Sequence, residues 1–418
     1  MYLSLHFSYF KRDGDEYVIC NELTGQELVV GQDEFSRIER LLERFGVVSA
    51  SVEKFEKTRL VDLGVLFESK ANFQREFFNH FEKNRSKHPV VDQVELTNAC
   101  SYGCIMCPRP KSMTRKVEFM SLRLFEAIVK SVHRHQRFLT LHHFGESLLH
   151  NDLHEAVRIA GAYGLHTGLS CNPASLTVEK SFQLHRAGLS SVTFTIDSLI
   201  DSRHQKIRGT KTTVRESIEN ICKFIAIGRK LSSRTLIALQ MIQLNENQGE
   251  YEQLIEKAKE LGVHSARVVC FGRWDFSDEK SKRLGDFSAF QGFKCSCPDR
   301  WKGCSILSNG NVVPCCRDYN GDIFLGKVNP NEEDSLGLIW DSQKYLRLRR
   351  NESRYKRCQN CWSSSFFKER KRIQIGYLDF HKKKIPIGNS YEWFEEGIRQ
   401  EYAKIDFPVE FLNHRSDG

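Results

Sequence analysis

Apolar residues alternate with polar ones near the start of the chain. Residues 2–12 and 16–30 follow this period of two. The alternation is typical of half-buried β-strands, so the sequence predicts a β-hairpin followed by a third short strand over 27–30. Asp33 then stands where it could cap an amphipathic helix. These elements predict a small α+β unit over residues 1–70.

From residue 89 onward, apolar runs alternate with amphipathic helical stretches such as 120–135 and 251–262. Alternating strands and helices favour a parallel sheet, and six such repeats predict an α/β fold with a partial (β/α)6 TIM-like barrel. In such barrels the chemistry lies on loops at the carboxyl ends of the strands. The six predicted strands are 90–96, 138–144, 165–170, 191–196, 236–242 and 265–271.

Composition narrows the class of protein. Of 418 residues, 40% are hydrophobic and 28% are charged, as in ordinary globular proteins. No run of about 18 apolar residues occurs, and the start of the chain does not resemble a signal peptide. We therefore expect a cytoplasmic protein with no membrane partner.

The net charge is +9, and much of the basic excess lies at 344–357, 367–372 and 381–384. Such segments could attract an acidic peptide or a nucleic acid, or they could be solvated faces. Because acidic residues are scattered among them, we expect no nucleic-acid partner.

Three of the 14 cysteines follow the first barrel strand at the spacing C-x3-C-x2-C: Cys100, Cys104 and Cys107. Three thiolates on one short loop can bind three irons of a [4Fe–4S] cluster and leave the fourth iron open. The alternative is half of a zinc site, but no fourth ligand follows at the spacing of a zinc ribbon.

Isolated cysteines are usually small buried hydrophobic residues. Cys20, Cys171, Cys222 and Cys270 are interpreted in this way.

With this cysteine motif at the end of the first strand, residues 89–365 resemble the radical S-adenosylmethionine (SAM) superfamily. The resemblance implies that the open iron chelates SAM and that one electron then cleaves it to methionine and a 5′-deoxyadenosyl radical. That radical would abstract a hydrogen atom from the substrate. The electron would come from a one-electron reductant such as flavodoxin or ferredoxin.

Polar residues at later strand ends extend the resemblance. The sequence FGES ends the second strand, where the family usually has GGEP, so Gly145 and Glu146 are candidate contacts of the SAM amino group. Ser170 and Asn172 end the third strand, and Ser170 is a candidate ribose contact. Arg208 lies in an IRG segment like that of the family and could bind the SAM carboxylate through two hydrogen bonds. Taken singly, each could be a helix cap or surface ion pair; their order favours the SAM site.

A second set of cysteines follows the last barrel strand. Cys297 and Cys315 flank an Asn-Gly turn that predicts a β-hairpin, and Cys358 and Cys361 form a C-x2-C pair. This arrangement resembles the auxiliary cluster extension called SPASM, or twitch in its shortened form. The resemblance implies an auxiliary [4Fe–4S] cluster, although four cysteines would satisfy a structural zinc site equally well. Cys295, Cys304 and Cys316 are spare, and one of them could replace Cys297.

The substrate has two candidate classes. Residues 1–70 resemble the winged-helix domain of peptide-modifying radical SAM enzymes, which binds a leader peptide as an added strand. That implies crosslinking, epimerisation or a related oxidation of a ribosomally made precursor peptide. The same unit could instead be an appendage without a ligand.

The alternative substrate is a small molecule, a sugar or aminocyclitol, with the auxiliary cluster as electron acceptor. Arg273 and Asp275 follow the sixth strand, so they are candidate catalytic residues, although an arginine there could equally be structural. A non-enzymatic adaptor with a degenerate barrel is a third class, and the intact first cysteine set argues against it.

The sequence thus divides into five predicted parts. They are a winged-helix-like domain at 1–70, a linker helix at 71–88, the barrel at 89–290, the twitch/SPASM-like domain at 291–365 and a tail at 366–418.

Overall fold

The fold is described here from a computed structural model. The residues that it describes are 2–3, 7–11, 16–21, 26–43, 59–63, 66–67, 69–272, 274, 279–285, 290–293, 297, 299–351, 354–359, 361, 365–367 and 374–379. In these ranges, no helix combines the length and the apolar composition that a bilayer crossing requires.

Strands and helices alternate through the middle of the chain. The strands are β1 (Tyr2–Leu3), β2 (Phe7–Lys11), β3 (Glu16–Asn21), β4 (Glu27–Gly31), β5 (Leu66–Phe67), β6 (Val90–Val94), β7 (Phe138–Thr140), β8 (His166–Cys171), β9 (Ser191–Thr195), β10 (Leu236–Gln243), β11 (Ser265–Cys270), β12 (Phe290–Phe293), β13 (Gly303–Ile306), β14 (Asn311–Val313), β15 (Gly326–Lys327), β16 (Ser365–Phe367) and β17 (Gln374–Asp379). The α-helices are α1 (Gln32–Glu43), α2 (Lys70–Lys83), α3 (Arg109–Ser112), α4 (Leu122–Val132), α5 (Leu153–Ala162), α6 (Val178–Ala187), α7 (Asp201–Arg208), α8 (Val214–Lys230), α9 (Tyr251–Leu261), α10 (Asp299–Lys302), α11 (Ser335–Trp340), α12 (Gln343–Arg350) and α13 (Lys356–Gln359). Short 3-10 turns cover Ser147–Leu149, Pro173–Ser175, Asn245–Asn247 and Glu279–Leu284.

The six predicted barrel strands are β6 to β11, and they pair in parallel in sequence order. Helices α4 to α9 connect them, as parallel pairing requires. All five residues of β9 are buried, because helices cover one face and the barrel interior covers the other. The predicted α/β class with a partial barrel is confirmed.

Two additions extend this sheet beyond the six strands. The hairpin β13–β14 turns at Gly310, at the predicted Asn-Gly site, and β13 pairs in parallel with β6. At the other edge, β17 pairs antiparallel with β11. The described sheet therefore has ten strands in the order β15-β14-β13-β6-β7-β8-β9-β10-β11-β17.

The N-terminal unit contains a three-stranded antiparallel sheet in the order β2-β3-β4, as the alternation predicted. Helix α1 packs on it, with the rings of Tyr17 and Phe35 stacked at a centroid distance of 4.0 Å. Asp33 lies in the first turn of α1, one residue inside the start of the helix. In addition, β1 pairs with β5.

Aromatic side chains fasten α2 to the C-terminal region. Phe77 and Phe81 contact Trp301 at ring-centroid distances of 5.4 and 5.1 Å. The indole Nε1 of Trp301 donates to Glu82 Oε2 at 3.0 Å. Helix α2 is thus held against the segment that opens the second cysteine region.

The basic helix α12 is partly internal rather than a fully solvated face. Arg349 is 2% exposed and stacks over the rings of Trp340 and Tyr345 at 4.1 and 4.5 Å. Burial lowers the pKa of Arg349 to about 10. Part of the basic excess in this region therefore serves packing.

Two of the isolated cysteines can be placed, and one prediction about them was wrong. Cys171 is buried in the main core at 4% exposure, as predicted. Cys222 is exposed, because it lies on the solvent face of the amphipathic helix α8. The residues of α8 that face the core recur with the helical period of 3.6, and Cys222 does not fall on that face. The side chains of Cys20 and Cys270 lie outside the described residues.

Candidate active site

The first cysteine set lies on the loop that leaves β6, at the carboxyl end of the parallel sheet. The loop is hydrogen-bonded to the end of α7: Gly103 N donates to Gly209 O at 3.3 Å, and Ile105 N donates to Ile207 O at 2.9 Å. A Cβ on Gly209, which has φ of +57°, would come within 2.3 Å of Gly103 O. The IRG segment therefore lies directly against the cysteine loop.

The three thiols of this loop are partly buried and influence one another. Burial raises the pKa of all three thiols. Burial together with the neighbouring thiols of Cys104 and Cys100 raises the pKa of Cys107 to about 12. Tyr102 N donates to Cys100 Sγ at 3.4 Å, and Asn172 Nδ2 lies 3.9 Å from the same sulfur. Closely spaced cysteines with N–H donors aimed at sulfur are the donor set that an iron–sulfur cluster requires.

Gly145 and Glu146 follow β7 and touch the cysteine loop. Gly145 has φ of +95°, and a Cβ there would lie 2.3 Å from Thr97 O, so the position accepts glycine alone. Glu146 N donates to Ala99 O at 2.7 Å. The predicted FGES motif is thus packed on the backbone that leads into Cys100.

The carboxylate of Glu146 accepts hydrogen bonds from the segments that follow β7 and β8. Its oxygens accept from Leu148 N at 3.0 Å and from Asn172 N at 2.7 Å, and it is 1% exposed. Burial raises its pKa to about 7, and those two N–H groups partly offset the increase. A cation beside this carboxylate would stabilise its ionised form.

Arg208 and Asp197 form a buried ion pair over the same region. Arg208 Nη1 lies 2.9 Å from Asp197 Oδ2, and Nη2 donates to Asn172 Oδ1. Arg208 Nε is buried and has no hydrogen-bond partner among the described residues. The guanidinium therefore keeps one donor available.

Ser170 Oγ lies 3.3 Å from Thr195 Oγ1, on the neighbouring strand. His204, one helical turn before Arg208, is 1% exposed, and neither of its ring nitrogens has a partner among the described residues. The predicted SAM-binding residues thus gather at the carboxyl ends of β7, β8 and β9 and beside the cysteine loop.

In the second cysteine set, Cys297, Cys315 and Cys361 lie near one another. Burial raises the pKa of Cys315, and the neighbouring thiols of Cys316, Cys361 and Cys297 contribute to the increase. The Cys361 thiol also contributes to the raised pKa of Cys297. Cys358 is one helical turn from Cys361, whose N–H donates to Cys358 O at 3.3 Å. The hairpin brings Cys297 and Cys315 close from outside β13 and β14 rather than from facing positions within them.

Of the spare cysteines, Cys304 lies in the main core on β13 and is 0% exposed. Cys316 adjoins Cys315, and Cys295 lies outside the described residues. In the described ranges no three His, Cys, Asp or Glu side chains converge on one metal ion. The thiolates of a four-iron cluster bind different irons and need no such convergence.

The two predicted catalytic residues, Arg273 and Asp275, lie outside the described residues. Trp274 between them is described: its Nε1 donates to Met106 O at 3.0 Å, and its ring meets Phe144 edge-on at 5.1 Å. The Arg317 guanidinium lies over the Trp274 ring at 5.5 Å. The segment after β11 therefore reaches the first cysteine loop and the second cysteine region.

Sequence reasoning missed one buried charged group, centred on Glu95. Glu95 is 0% exposed and binds the guanidinium of Arg115 through two hydrogen bonds of 2.7 Å. Burial alone would raise its pKa, but hydrogen bonds from His143 and Arg115 lower it to about 2. The available signal was a carboxylate between the apolar residues Val94 and Leu96, just before the cysteine motif.

Two family models match the chain over the regions just described. Residues 94–258 match the radical SAM superfamily, and residues 295–362 match SPASM, an iron–sulfur cluster-binding domain.

Two relatives are similar over most of their length. The PqqA peptide cyclase of Rhizobium meliloti (strain 1021) is 22% identical over 322 residues, covering 69% of this chain and 81% of the relative. The sporulation killing factor maturation protein SkfB of Bacillus subtilis (strain 168) is 25% identical over 298 residues, covering 62% and 67%.

The fold is similar to that of Streptococcus suis SuiB, whose crystal structure was solved bound to the precursor peptide SuiA. The TM-score is 0.51 at 12% identity, covering 88% of this chain and 99% of SuiB. The two family matches and the similar relatives establish the class of protein to which the chain belongs. The chain is a radical SAM enzyme with a SPASM-type domain, and its cofactors are [4Fe–4S] clusters and S-adenosylmethionine.

Proposed function

We propose that Cys100, Cys104 and Cys107 hold the cluster that binds SAM. When loaded, that cluster supplies the electron that cleaves SAM to a 5′-deoxyadenosyl radical. The observation that carries this assignment is the contact of the cysteine loop with two motifs at once, Gly145 and the segment ending at Gly209. These two motifs place Glu146 and Arg208, the candidate SAM contacts, beside the cysteine loop.

The neighbouring polar residues then bind SAM. The buried carboxylate of Glu146 would accept from the amino group, whose positive charge compensates for the burial that raises the Glu146 pKa. Arg208, positioned by Asp197 and Asn172, would donate to the SAM carboxylate from its free Nε. Ser170 would contact the ribose.

Cys297, Cys315, Cys358 and Cys361 would hold the auxiliary [4Fe–4S] cluster. The mutual proximity of three of these thiols supports this set over one that uses the core residue Cys304. Arg273 and Asp275 remain candidate catalytic residues, supported by the position of Trp274 against the cysteine loop.

The substrate we propose is a ribosomally made precursor peptide that is crosslinked, epimerised or otherwise oxidised. Two relatives that this chain matches over most of their length support this substrate class. One is a peptide cyclase and the other is a killing-factor maturation protein. In addition, β2 and β4 are edge strands of the N-terminal sheet, each paired on one side among the described residues. An extended leader peptide could add to such an edge.

Hydrogen exchange on the whole enzyme tests this proposal. With a precursor peptide encoded beside the gene, amides of one edge strand should become protected, and the product should lose two hydrogen atoms or gain solvent deuterium at one carbon. Turnover of an aminocyclitol, with no protection and no change in any peptide, would overturn it.

An external one-electron donor such as flavodoxin or ferredoxin must reduce the first cluster. Reduction by a purified flavodoxin, followed by 5′-deoxyadenosine formation, checks the donor.

The location we propose is the cytoplasm. Iron–sulfur clusters and cysteine thiols persist in a reducing compartment, which supports this location.

A further inference from the structure

A buried carboxylate connects the barrel to the second cysteine region. Glu95 directly follows β6, the strand that leads to the first cysteine set. Besides Arg115, it accepts from Ser308 Oγ at 3.0 Å and Ser308 N at 3.2 Å, both from the β13–β14 turn. His143 Nδ1, on the loop that follows β7, lies 3.2 Å from Glu95 Oε2.

The two cationic partners of Glu95 reach onward to the backbone around Cys316. Arg115 Nε donates to Tyr319 O at 2.7 Å, and His143 Nε2 lies 3.1 Å from Cys316 O. Both ring nitrogens of His143 thus face acceptors, a carboxylate and a carbonyl. Both contacts are hydrogen bonds at the same time only when each nitrogen carries a proton, as in the imidazolium form.

A neutral contact reinforces the same connection. Asn320 Oδ1 accepts from Thr114 N at 2.9 Å, and its Nδ2 donates to Ser112 O at 3.2 Å. The segment that follows Cys315 is therefore bound at several points to the loop that follows Cys107.

We propose that Glu95, Arg115 and His143 form a buried charged junction that positions the second cluster relative to the first. The inference rests on the proposed function, because it assumes that both cysteine sets hold clusters. The three side chains are positioning residues: Arg115 and His143 contact the carbonyls of Tyr319 and Cys316, and Glu95 holds both side chains in place. Because electron transfer weakens steeply with distance, a fixed separation of the clusters makes the second one a dependable electron acceptor.

Charge gives the junction a second effect. With His143 as an imidazolium, the carboxylate, the guanidinium and the imidazolium together leave a net positive charge beside the second cysteine region. A positive charge near a cluster favours its reduced, more negative state and raises its reduction potential. The junction therefore tunes the second cluster as well as holding it.

Glu95→Gln tests the positioning role. Gln keeps the shape but loses the charge and half of the acceptor capacity, so the Cys315–Tyr319 segment should loosen. The expected result is an altered magnetic interaction between the two reduced clusters in the EPR spectrum, with the response of the first cluster to SAM preserved. Loss of the second cluster alone would also support the proposal.

The matched control is Glu250→Gln. Glu250 is 3% exposed and accepts from Ser198 Oγ and Leu199 N at 2.8 Å and from Arg203, all within the barrel. This variant should leave the magnetic interaction and both potentials as in wild type. If Glu250→Gln changed the magnetic interaction as much as Glu95→Gln does, the junction would only stabilise the fold and would have no specific positioning role.

His143→Gln tests the effect of the charge. It also tests the positioning role if Glu95→Gln loses both clusters and is therefore uninformative. Removing the imidazolium should lower the potential of the second cluster in a redox titration and leave that of the first unchanged. An unchanged second potential and an unchanged magnetic interaction in iron-replete His143→Gln would overturn the proposal. None of these measurements needs a substrate. A wild-type chain that holds a single cluster would refute the proposed cluster assignment, which is a different outcome from failure of the junction proposal.

Discussion

At Gly145 the end of β7 and the cysteine loop approach as closely as backbones can. The positive φ and the contact with Thr97 O impose two separate demands on this position. Both are met by the absence of a side chain. Gly145 thus sets how near Glu146 comes to the first cysteine set.

Gly145→Ala should lower the free energy of unfolding by about 3 kcal/mol or more and should weaken SAM binding. Gly164 is the control, because it also has a positive φ, +74°, but open space around its Cβ position. Gly164→Ala should cost only about 1–2 kcal/mol of backbone strain and leave SAM binding intact. Denaturant unfolding and SAM titration of both variants check this; equal effects would contradict it.

Short-range patterns sufficed for the residues that lie within one motif. Cys100, Cys104 and Gly145 lie on loops that follow strands, and Arg208 ends helix α7 in the IRG segment. Glu95 and His143 could not be found in this way, because their hydrogen bond spans 48 residues. Only the folded sheet brings such partners together.

At the scale of elements, periodicity predicted β6 to β11 with boundaries within two residues of those observed, except that β7 ends at Thr140 and not at the predicted residue 144. It could not predict that β13 pairs in parallel with β6, because that register depends on contacts between distant segments. The parallel pairing also explains the environment of Cys304. A residue on a strand inside the sheet faces the core rather than a metal.

Cys304→Ala and Cys315→Ala should therefore differ. Cys304→Ala should keep the full iron content and cost about 1 kcal/mol, because the lost sulfur leaves a small cavity. Cys315→Ala should reduce iron towards about four per chain as the auxiliary cluster is lost. Iron and sulfide analysis separates them, and iron loss from Cys304→Ala would contradict the ligand set.

Helix α2 depends on an aromatic contact with the second cysteine region. Trp301→Ala should lower the free energy of unfolding by about 3–5 kcal/mol, because Phe77 and Phe81 lose their main partner. Phe182, 49% exposed on α6, is the control, and its replacement by Ala should change stability by about 0.5 kcal/mol or less. Denaturant unfolding followed by circular dichroism measures both; similar changes would refute the contact's importance.

At the scale of the molecule, the barrel and the cysteine-rich extension share one sheet and one buried charged junction. The first cysteine set, Gly145, Glu146 and the segment around Cys316 meet at the carboxyl ends of the same strands. The proposed function therefore requires two iron–sulfur clusters in one chain, one for each cysteine set.

Iron and sulfide analysis with EPR on anaerobically reconstituted protein tests that dependence most directly. Wild type should hold about eight irons, and a Cys100/Cys104/Cys107→Ala variant about four, with SAM cleavage lost. About four irons and one zinc in wild type would preserve the SAM chemistry but contradict the two-cluster account.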